Sequence, residues 1–471
     1  MKLMKLDELM ASSGVRFGTS GARGLVADMS DEVCYAYAAA FLQTVDADCV
    51  VLGHDLRPSS PRIAGACAAA VEDAGCRLVY AGALPTPALA FYAAQLGAPA
   101  IMVTGSHIPF DRNGIKFYRA DGEITKADEQ AMREASVDAT AARTSVLPEV
   151  DEQAAAAYVK RYLDFFGMGV LDGMGVAVYE HSSVGRDVMR SILVGLGAEV
   201  ISLGRTDVFV PIDTEAVRSE DVAQAALWAR EHRFDAIVST DGDADRPLIG
   251  DEHGQWFRGD VVGILCAQYL HAEVVVTPVS SNTAVEKCGS FLSVVRTRIG
   301  SPYVIADMQA GSGRVVGYEA NGGFLLGSDV VRGDRCLTAL PTRDAVLPML
   351  ALLCMAKERG CPVSELTRGL PERYTASDRL QDFSAQQSLK LMEELSEFGD
   401  MLTQMLAPGS GAAVRIDLTD GLRVSFSSGD IVHLRQSGNA PELRCYAEAG
   451  SPARASLLCD ACLRRVSAHF Q

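Results

Sequence analysis

The sequence predicts an α/β protein with mixed, largely parallel sheets, followed by a smaller α+β domain. Short apolar runs alternate with longer amphipathic runs over most of the 471 residues, which is typical of strand–helix–strand units. Near residue 371 this pattern changes to a helical stretch followed by short strands of alternating polarity. At about 150 residues per domain, the length fits three or four domains.

The first strands and helices are predicted from the order of these runs. The apolar run CVVLG (49–53) predicts a buried strand, and PSSPRIAGACAAAVEDAG after it begins with the Pro and Ser residues that favour a helix start. RLVYAG and PAIMVTG (99–105) predict the next two strands. The same pattern recurs in GVAVYE, GAEVISLG, FDAIVST (234–240), AEVVVTP and LSVVRT, with helical segments such as GRDVMRSILVGLG between them.

The last hundred residues have a different character. QQSLKLMEELSEFGDMLTQML predicts one helical stretch, and AAVRIDLTDGLRVSFSSGDIVHLRQSG predicts short strands with a turn at Asp420-Gly421. Domain boundaries are expected in the polar stretch near 140–152, in the loop near 257–260 and in the Pro-containing segment near 370. The sequence shows no repeat and no low-complexity tract.

The charge and the hydropathy pattern exclude several kinds of partner. A net charge of −17 and a pI near 5.0 argue against nucleic acid and against a membrane surface, but a local basic pocket still admits a small anion. No apolar run is long enough for a transmembrane helix. Asp7 and Glu8 interrupt the N-terminal segment, so we expect no signal peptide there.

The 12 cysteines are scattered, and most lie in apolar runs, as Cys67 and Cys354 do. This usage is typical of reduced core cysteines and predicts a cytoplasmic protein. Cys459 and Cys462 form a C-x-x-C pair without a second pair, so we expect them to pack within a helix rather than bind metal.

A polar loop with a serine follows the strand AIMVT. Residues 104–109 are Thr-Gly-Ser-His-Ile-Pro, and Lys116 follows ten residues after Ser106. Loops at the carboxyl ends of parallel strands are where α/β proteins place their sites. Such a loop predicts an exposed Ser106 beside His107, but taken alone it fits a capping serine in a turn better than a reactive one.

An acidic loop follows the strand AIVST. Asp241, Asp243 and Asp245 alternate along it and Arg246 ends it, so three carboxylates can converge on one hard cation. An EF-hand also has acidic residues at this spacing and at the position of Glu252. It requires a glycine where Arg246 stands and a helix where a strand precedes, so we expect a different metal loop.

Two further loops carry groups that recognise small anions and hydroxyls. After the strand DIVHL, Arg435, Ser437, Gly438 and Asn439 offer a guanidinium, a hydroxyl, a close backbone N–H and an amide. Residues 317–323 place Glu319 and Asn321 among glycines, where they can contact sugar hydroxyls. Each of these two loops alone is weak support for a site.

In this order and spacing the four loops resemble those of the α-D-phosphohexomutase superfamily of phosphoglucomutases and phosphomannomutases. The resemblance covers essentially the whole chain. It begins at Phe-Gly-Thr-Ser-Gly-Ala-Arg-Gly (17–24), which contains Arg23, and continues through Gly-His-Asp-x-Arg (53–57). It implies three related α/β domains and an α+β domain around a central cleft. The corresponding bounds are a phosphoserine-loop domain at 1–150, a metal-loop domain at 151–258, a sugar-recognition domain at 259–370 and a phosphate-binding domain at 371–471.

The resemblance also implies a mechanism. Ser106 carries a phosphoryl group, and Mg²⁺ is held by Asp241, Asp243, Asp245 and a phosphoserine oxygen. The substrate hydroxyl attacks, a hexose 1,6-bisphosphate forms and turns over in the cleft, and its other phosphate returns to Ser106. The resemblance further implies that catalysis is assisted by Lys116, Arg23 and His107. The residues that it implies for substrate binding are Arg246, Glu319, Asn321, Arg435, Ser437, Gly438 and Asn439. A lysine that acts as a base would need a lowered pKa.

Several positions depart from the commonest family pattern. Gly105 and Ile108 replace Ala and Asn in the serine loop, Asn321 replaces Ser in the sugar loop, and Asn439-Ala440 replaces Thr-Glu after Gly438. The Glu-Ala-Asn-Gly-Gly form of the sugar loop resembles phosphomannomutases, which favours mannose over glucose or glucosamine phosphates. A phosphatase with the same serine and metal, or a non-catalytic sugar-phosphate binding protein, are the alternatives from other classes.

Overall fold

The computed structural model describes residues 3–18, 21–395, 399–437 and 442–470. Three α/β units follow one another along the chain, and an α+β domain ends it, as the sequence predicts. Among these residues, no helix combines the length and the apolar character needed to cross a bilayer.

The first unit is built on a sheet with the order β2-β3-β7-β6-β4-β5 and with β8 paired to β7. The elements of this unit are β1 Met4–Lys5, α1 Leu6–Ser13, β2 Arg16–Phe17, β3 Ala22–Leu25, α2 Asp31–Leu42, β4 Cys49–His54, α3 Ser60–Asp73, β5 Arg77–Ala83, α4 Thr86–Leu96, β6 Ala100–Val103, β7 Arg112–Arg119, β8 Gly122–Glu123, α5 Lys126–Glu134 and β9 Ser136–Val137.

The second unit has a four-stranded sheet with the order β11-β10-β12-β13. Its elements are α6 Gln153–Phe166, β10 Gly175–Tyr179, α7 Arg186–Gly195, β11 Glu199–Leu203, α8 Ser219–Glu231, β12 Ala236–Thr240 and β13 Pro247–Asp251.

The third unit has a five-stranded sheet with the order β15-β14-β16-β17-β20 and a separate β18-β19 hairpin. Its elements are α9 Gly259–Tyr269, β14 Val274–Pro278, α10 Ala284–Lys287, β15 Ser293–Thr297, α11 Ser301–Gln309, β16 Val315–Tyr318, β17 Phe324–Leu326, β18 Val330–Arg332, β19 Arg335–Leu337, β20 Leu340–Asp344 and α12 Val346–Arg359.

The C-terminal domain has an antiparallel sheet with the order β21-β25-β24-β23-β22. Its elements are β21 Tyr374–Leu380, α13 Ala385–Glu394, α14 Asp400–Leu406, β22 Ala413–Asp417, β23 Leu422–Phe426, β24 Ile431–Gln436, β25 Leu443–Ala449 and α15 Pro452–His469. The single helical stretch expected here is wrong. Two helices form instead, because the extended backbone of Gly399, with φ −179° and ψ 172°, starts α14 anew.

The three α/β units share one plan that the sequence does not show as a repeat. In each, a central strand pairs in parallel with the second and third strands, and a fourth strand runs antiparallel beside the third. These third and fourth strands are β6 and β7, β12 and β13, and β16 and β17. The loop between them therefore lies at the same end of the sheet in every unit.

The cores divide differently from the sheets. One continuous apolar core runs through the three α/β units and includes Tyr92 of α4, Tyr162 of α6, Leu193 of α7 and Leu352 of α12. The C-terminal domain has its own core between its sheet and its helices. Cys459 and Cys462 of α15 are buried there as free thiols, which confirms the expected helix packing.

Candidate active site

The equivalent loops of the three α/β units carry the serine, the aspartates and the glutamate that the sequence singles out. Residues 104–111 join β6 to β7, residues 241–246 join β12 to β13, and residues 319–323 join β16 to β17. Two of the loops meet directly, because the Ser106 hydroxyl donates a hydrogen bond to Asp241 Oδ2 at 2.5 Å. The repeated plan of the units thus brings residues far apart in sequence to one place.

Ser106 is held in an uncommon conformation at this junction. Its φ is +50°, in the left-handed region that a non-glycine residue enters at a cost of about 1 kcal/mol or more. Its residue is only 1% exposed, so the expectation of an exposed serine is wrong. The aspartate loop covers it, and Gly242 passes so close that a Cβ there would lie 2.6 Å from the Ser106 carbonyl oxygen.

Asp55 and Arg57, at the end of β4, fix the serine loop. Asp55 Oδ2 accepts hydrogen bonds from the Thr104 hydroxyl at 2.8 Å and from the Gly105 N–H at 3.1 Å. The Arg57 guanidinium donates to the carbonyl oxygens of Pro109, Arg112, Ser106 and Ile108 at 2.8, 2.8, 3.1 and 2.5 Å. The guanidinium also lies 4.0 Å from the ring centroid of Phe209. This pair places the backbone that presents Ser106.

Asp241, Asp243 and Asp245 form a buried cluster that fits a hard cation. One oxygen from each lies within 4.8 Å of the others, and the three residues are at most 1% exposed. Among the described residues, Asp243 Oδ1 and Asp245 Oδ1 find no hydrogen-bond donor. Burial, together with Asp243 and Asp245, raises the pKa of Asp241 well above its ordinary value. Carboxylate oxygens at this spacing are the ligand atoms that Mg²⁺ and Ca²⁺ prefer.

Glu252 does not belong to this cluster. Its carboxylate accepts hydrogen bonds from the backbone and side chain of Ser364. The loop follows β12 rather than a helix, which agrees with the rejection of an EF-hand.

Cations surround the aspartates on the side away from Ser106. Lys116 Nζ donates to Asp243 Oδ2 and to Asp245 Oδ2 at 2.6 Å each, and Arg343 Nη2 donates to Asp245 Oδ2 at 2.9 Å. Burial lowers the pKa of Lys116, but Asp243 and Asp245 outweigh it, so this pKa lies above its ordinary value. Lys116 therefore does not meet the condition of a lowered pKa that a general base requires.

His107 and Arg23 lie on the open side of the serine. His107 Nδ1 is 3.2 Å from Ser106 Oγ and 3.1 Å from Arg246 Nη1. Burial, then the charges of Arg246 and Arg23, hold the pKa of His107 well below its usual range, so its ring is neutral. Burial, then the charges of Arg246 and Arg343, lower the pKa of Arg23 to about 10, and Arg23 has no hydrogen bond or ion pair with a described residue.

The sugar loop is joined to the aspartates through a residue that the sequence analysis missed. Arg343 Nη1 donates to Glu319 Oε2 at 3.1 Å while its Nη2 binds Asp245, so one guanidinium links the two loops. Asn321 Oδ1 accepts the Gly323 N–H at 2.9 Å and shapes the turn. A Cβ at Gly323 would lie 2.7 Å from Arg343 Cδ, which explains why glycine stands there.

The predicted phosphate residues lie on the C-terminal domain. Arg435 is inside β24 rather than after it, and its Nε is 2.9 Å from Asp420 Oδ2. Ser437 follows the strand and is buried, and its N–H binds the Glu442 carbonyl at 2.9 Å. Gly438 and Asn439 lie outside the described residues. Arg444 of β25 stands directly opposite Arg435, and its charge contributes to the low pKa of His107, so this edge of the sheet faces the serine loop.

Thr86 is a further contact that the sequence analysis missed. Its hydroxyl donates to Asp243 Oδ2 at 2.5 Å, and its N–H donates to the Asp243 carbonyl at 2.9 Å. Thr86 begins α4, directly after a Pro, and neither feature indicates a site. For Asp55 and Arg57 a signal does exist, because β4 lies beside β6 and both strands end at the same edge of the sheet.

Comparison with known proteins shows which family the chain belongs to. Phosphoglucomutase/phosphomannomutase profiles match residues 14–143 (α/β/α domain I), 258–374 (α/β/α domain III) and 379–464 (C-terminal domain). A phosphomannomutase of Salmonella muenchen is 49% identical over 452 residues, which are 94% of this chain and 94% of that protein. The chain belongs to the phosphoglucomutase/phosphomannomutase family. It is therefore a phosphohexomutase, an isomerase that moves a phosphoryl group within a hexose phosphate.

Two more comparisons agree with this family. A phosphomannomutase of Sinorhizobium fredii is 45% identical over 456 residues, covering 93% of this chain and 96% of that protein. The crystal structure of a phosphoglucomutase/phosphomannomutase family protein from Burkholderia thailandensis has a TM-score of 0.74 and 21% identity, and covers 96% of this chain and 97% of that one. The phosphohexomutase fold extends over nearly the whole chain.

Proposed function

We propose that this phosphohexomutase interconverts mannose 1-phosphate and mannose 6-phosphate, with a phosphorylated Ser106 and a hexose 1,6-bisphosphate as the intermediate. The observation that carries the proposal is the hydrogen bond of 2.5 Å between the Ser106 hydroxyl and Asp241, which joins a nucleophile to a buried carboxylate cluster. Mannose is favoured by the two phosphomannomutase relatives and by the Glu-Ala-Asn-Gly-Gly sugar loop. Phosphoglucomutase or phosphoglucosamine mutase activity on the same scaffold is the alternative.

Mg²⁺ is the proposed cofactor, held by Asp241, Asp243, Asp245 and an oxygen on Ser106. The two carboxylate oxygens without a donor, on Asp243 and Asp245, support this assignment. When bound, the cation neutralises the carboxylates and stabilises the negative charge of the phosphoryl group during transfer.

The surrounding cations are proposed to position the phosphoryl group and keep the site neutral. Lys116 and Arg343 fix the aspartates from behind, so the carboxylates keep their places when substrate enters. Arg23 and Arg246, on the open side, are assigned to phosphoryl oxygens, because a guanidinium matches them with paired donors. Arg246 is oriented for this by His107 Nδ1 at 3.1 Å and by Asp245 Oδ1 at 3.6 Å. His107 lies beside the Ser106 hydroxyl as a neutral ring, so it adds no charge to the site, and its lowered pKa makes it a weak base.

Both orientations of the bisphosphate must fit the same cleft. We assign the distal phosphate to Arg435, Ser437, Gly438 and Asn439, and the sugar hydroxyls to Glu319 and Asn321. Because Glu319 already accepts a hydrogen bond from Arg343, its carboxylate is oriented before substrate arrives, which lowers the entropic cost of binding. Closing the cleft then excludes water, which would otherwise take the phosphoryl group.

The serine assignment is tested by Ser106→Ala, with the exposed Ser191→Ala as its control. Purified wild-type enzyme and Ser191→Ala are expected to show one phosphate by intact mass and to turn over substrate. Ser106→Ala is expected to lose the phosphate and at least a thousandfold of kcat while keeping its melting temperature. Near-normal turnover by Ser106→Ala, purified away from the host enzyme, would sink the mechanism.

The sugar is tested by coupled assays on mannose 1-phosphate, glucose 1-phosphate and glucosamine 1-phosphate with the same enzyme preparation. We expect the highest kcat/KM for mannose 1-phosphate. A higher value for either other sugar would replace mannose, and release of inorganic phosphate faster than isomerisation would indicate a phosphatase.

The domain bounds and the compartment complete the proposal. We divide the chain into domains at 1–150, 151–258, 259–370 and 371–471, a division supported by the fact that no sheet formed by the described residues crosses these bounds. A cytoplasmic location is supported by the 12 cysteines, which are all free thiols, as a reducing compartment favours.

A further inference from the structure

A cavity of about 350 Å³ lies between the third unit and the C-terminal domain. Lys287, at the end of α10, and Arg296 of β15 line one side, and Arg415 of β22 and Arg423 of β23 line the other. The acidic residues of the lining are Glu286 and Asp417. Four cations against two anions leave this interdomain cavity with an excess positive charge of about two, although the protein as a whole carries −17.

The cavity is separate from the site at Ser106. No residue of its lining belongs to the serine, aspartate, sugar or phosphate loops. The third unit also meets the C-terminal domain at residues outside the cavity lining. There the Ile299 N–H binds Asp420 at 2.9 Å, and Asp420 is also the ion-pair partner of Arg435.

Arg423 is the unusual member of the lining. It is half-buried and makes no hydrogen bond or ion pair with any described residue. Asp417 stands opposite it in the sheet, but Asp417 Oδ1 accepts from the N–H and hydroxyl of Thr419 at 3.0 and 2.7 Å. Asp417 Oδ2 lies 3.5 Å from Nη2 of the largely exposed Arg415, so this carboxylate pairs with Arg415 and not with Arg423. Burial, then the charge of Arg296, lower the pKa of Arg423, and the nearby carboxylates of Glu448, Asp417 and Glu286 offset this only in part.

Arg296 shows how an arginine is normally compensated in this region. Its guanidinium binds the two oxygens of Glu286 at 2.7 and 2.8 Å and donates to the carbonyl oxygens of Pro278 and Ser281. Arg423, on β23 of the C-terminal sheet, has no such partner among the described residues. An anion in the cavity would supply the missing charge and accept from the donors of Arg423 and Arg415.

We propose that the interdomain cavity is a second anion site, which binds a small phosphate-bearing molecule through Arg423 and Arg415. An arginine fork matches phosphate oxygens, and an excess charge of about two matches a phosphate dianion. The volume accepts inorganic phosphate or a small phosphate ester. Because the lining comes from both domains, the bound anion bridges the third unit and the C-terminal domain.

The proposal is tested by isothermal titration of the full-length enzyme with inorganic phosphate. The variant is Arg423→Gln. Its matched control is Arg464→Gln, which removes an exposed arginine of the same domain that lies outside the cavity. We expect Arg464→Gln to bind as many phosphates as the wild type, and Arg423→Gln to bind one fewer or to bind one at least tenfold more weakly. Equal phosphate stoichiometry and affinity in the two variants would overturn the proposal.

Two further measurements show whether the effect is specific to the cavity. Arg423→Gln is expected to keep kcat within twofold of the wild type. Arg415→Gln is expected to lower the affinity for the same phosphate that Arg423→Gln loses. If neither variant changes binding, the site does not exist. A parallel titration with glucose 6-phosphate identifies the source of the phosphate. If Arg423→Gln binds fewer glucose 6-phosphate molecules than the wild type, the ligand is a phosphate ester. If it binds fewer inorganic phosphates only, the ligand is the free ion.

Discussion

Replacement of Arg57 by Met tests whether the serine loop is held in place from β4. The Arg57 side chain is 2% exposed and donates four hydrogen bonds to carbonyl oxygens of residues 106–112, at 2.5 to 3.1 Å. Met fills a similar volume but donates none of them. Hydrogen bonds from a charged donor contribute about 1.5–3 kcal/mol each.

The expected magnitude is smaller than the sum of four bonds. Several of the carbonyl oxygens are only partly buried and can bind water once the guanidinium is gone. Asp55, 3.4 Å from Arg57 Nε, would lose its counterion but keep the bonds from Thr104 and Gly105. We therefore expect a loss of about 3–5 kcal/mol in the free energy of unfolding, the range for breaking a buried ion pair.

The effect on catalysis is expected to exceed what unfolding explains. A shift of about 1 Å in a reacting group costs about a hundredfold in rate, and the backbone of Ser106 is one of the groups that Arg57 holds. We expect kcat of Arg57→Met to fall about a hundredfold at a temperature where the protein is still folded.

The assays are urea unfolding and coupled mutase turnover, with Arg57→Lys as the control that keeps the charge without the fork. Arg57→Lys is expected to keep more stability than Arg57→Met but to lose turnover as well. Turnover of Arg57→Met within threefold of the wild type would refute the positioning role.

Three other outcomes follow from the site and from the C-terminal sheet. Gly242→Ala is expected to lower kcat at least tenfold without unfolding, because its Cβ would meet the Ser106 carbonyl oxygen at 2.6 Å. Gly450→Ala, where a Cβ meets nothing within 4 Å, is the control, and equal rates would contradict the close approach. Free Mg²⁺ at 100 times its Kd is expected to stabilise the wild type by about 2.7 kcal/mol. The melting shift should be smaller in Asp243→Asn, and an unchanged shift would exclude this residue as a ligand. Burial lowers the pKa of His433 to about 4 from 6.5, so the folded protein binds fewer protons than the unfolded chain between these pH values. Stability due to this group is therefore complete above pH 6.5 and is lost as pH falls towards 4. We expect about 3 kcal/mol more acid destabilisation in wild type than in His433→Gln, and parallel urea–pH curves would disprove it.

Three of the site residues that the sequence predicts stand directly after an apolar strand. Ser106, Asp241 and Glu319 follow β6, β12 and β16, and the topology of each unit takes these strand ends to one edge. Local pattern was sufficient there because the strand, the loop and the chemical group are adjacent in sequence.

The residues that sequence reasoning missed act across long separations. Arg343 binds Asp245 over 98 residues and Thr86 binds Asp243 over 157, so no local pattern marks either one. Their roles depend on how the units pack. The burial of Ser106 has the same cause, since the second unit covers a loop that would be exposed in the first unit alone.

Each α/β unit uses the turn between its third and fourth strands for a different part of the site, and this affects how substrate preference can change in such an enzyme. The nucleophile, the metal ligands and the sugar-recognition residues occupy separate copies of the turn. Asn321 departs from the commonest family sequence while the three aspartates do not. A substitution in the sugar turn can therefore change substrate preference while the serine and the aspartates stay in place.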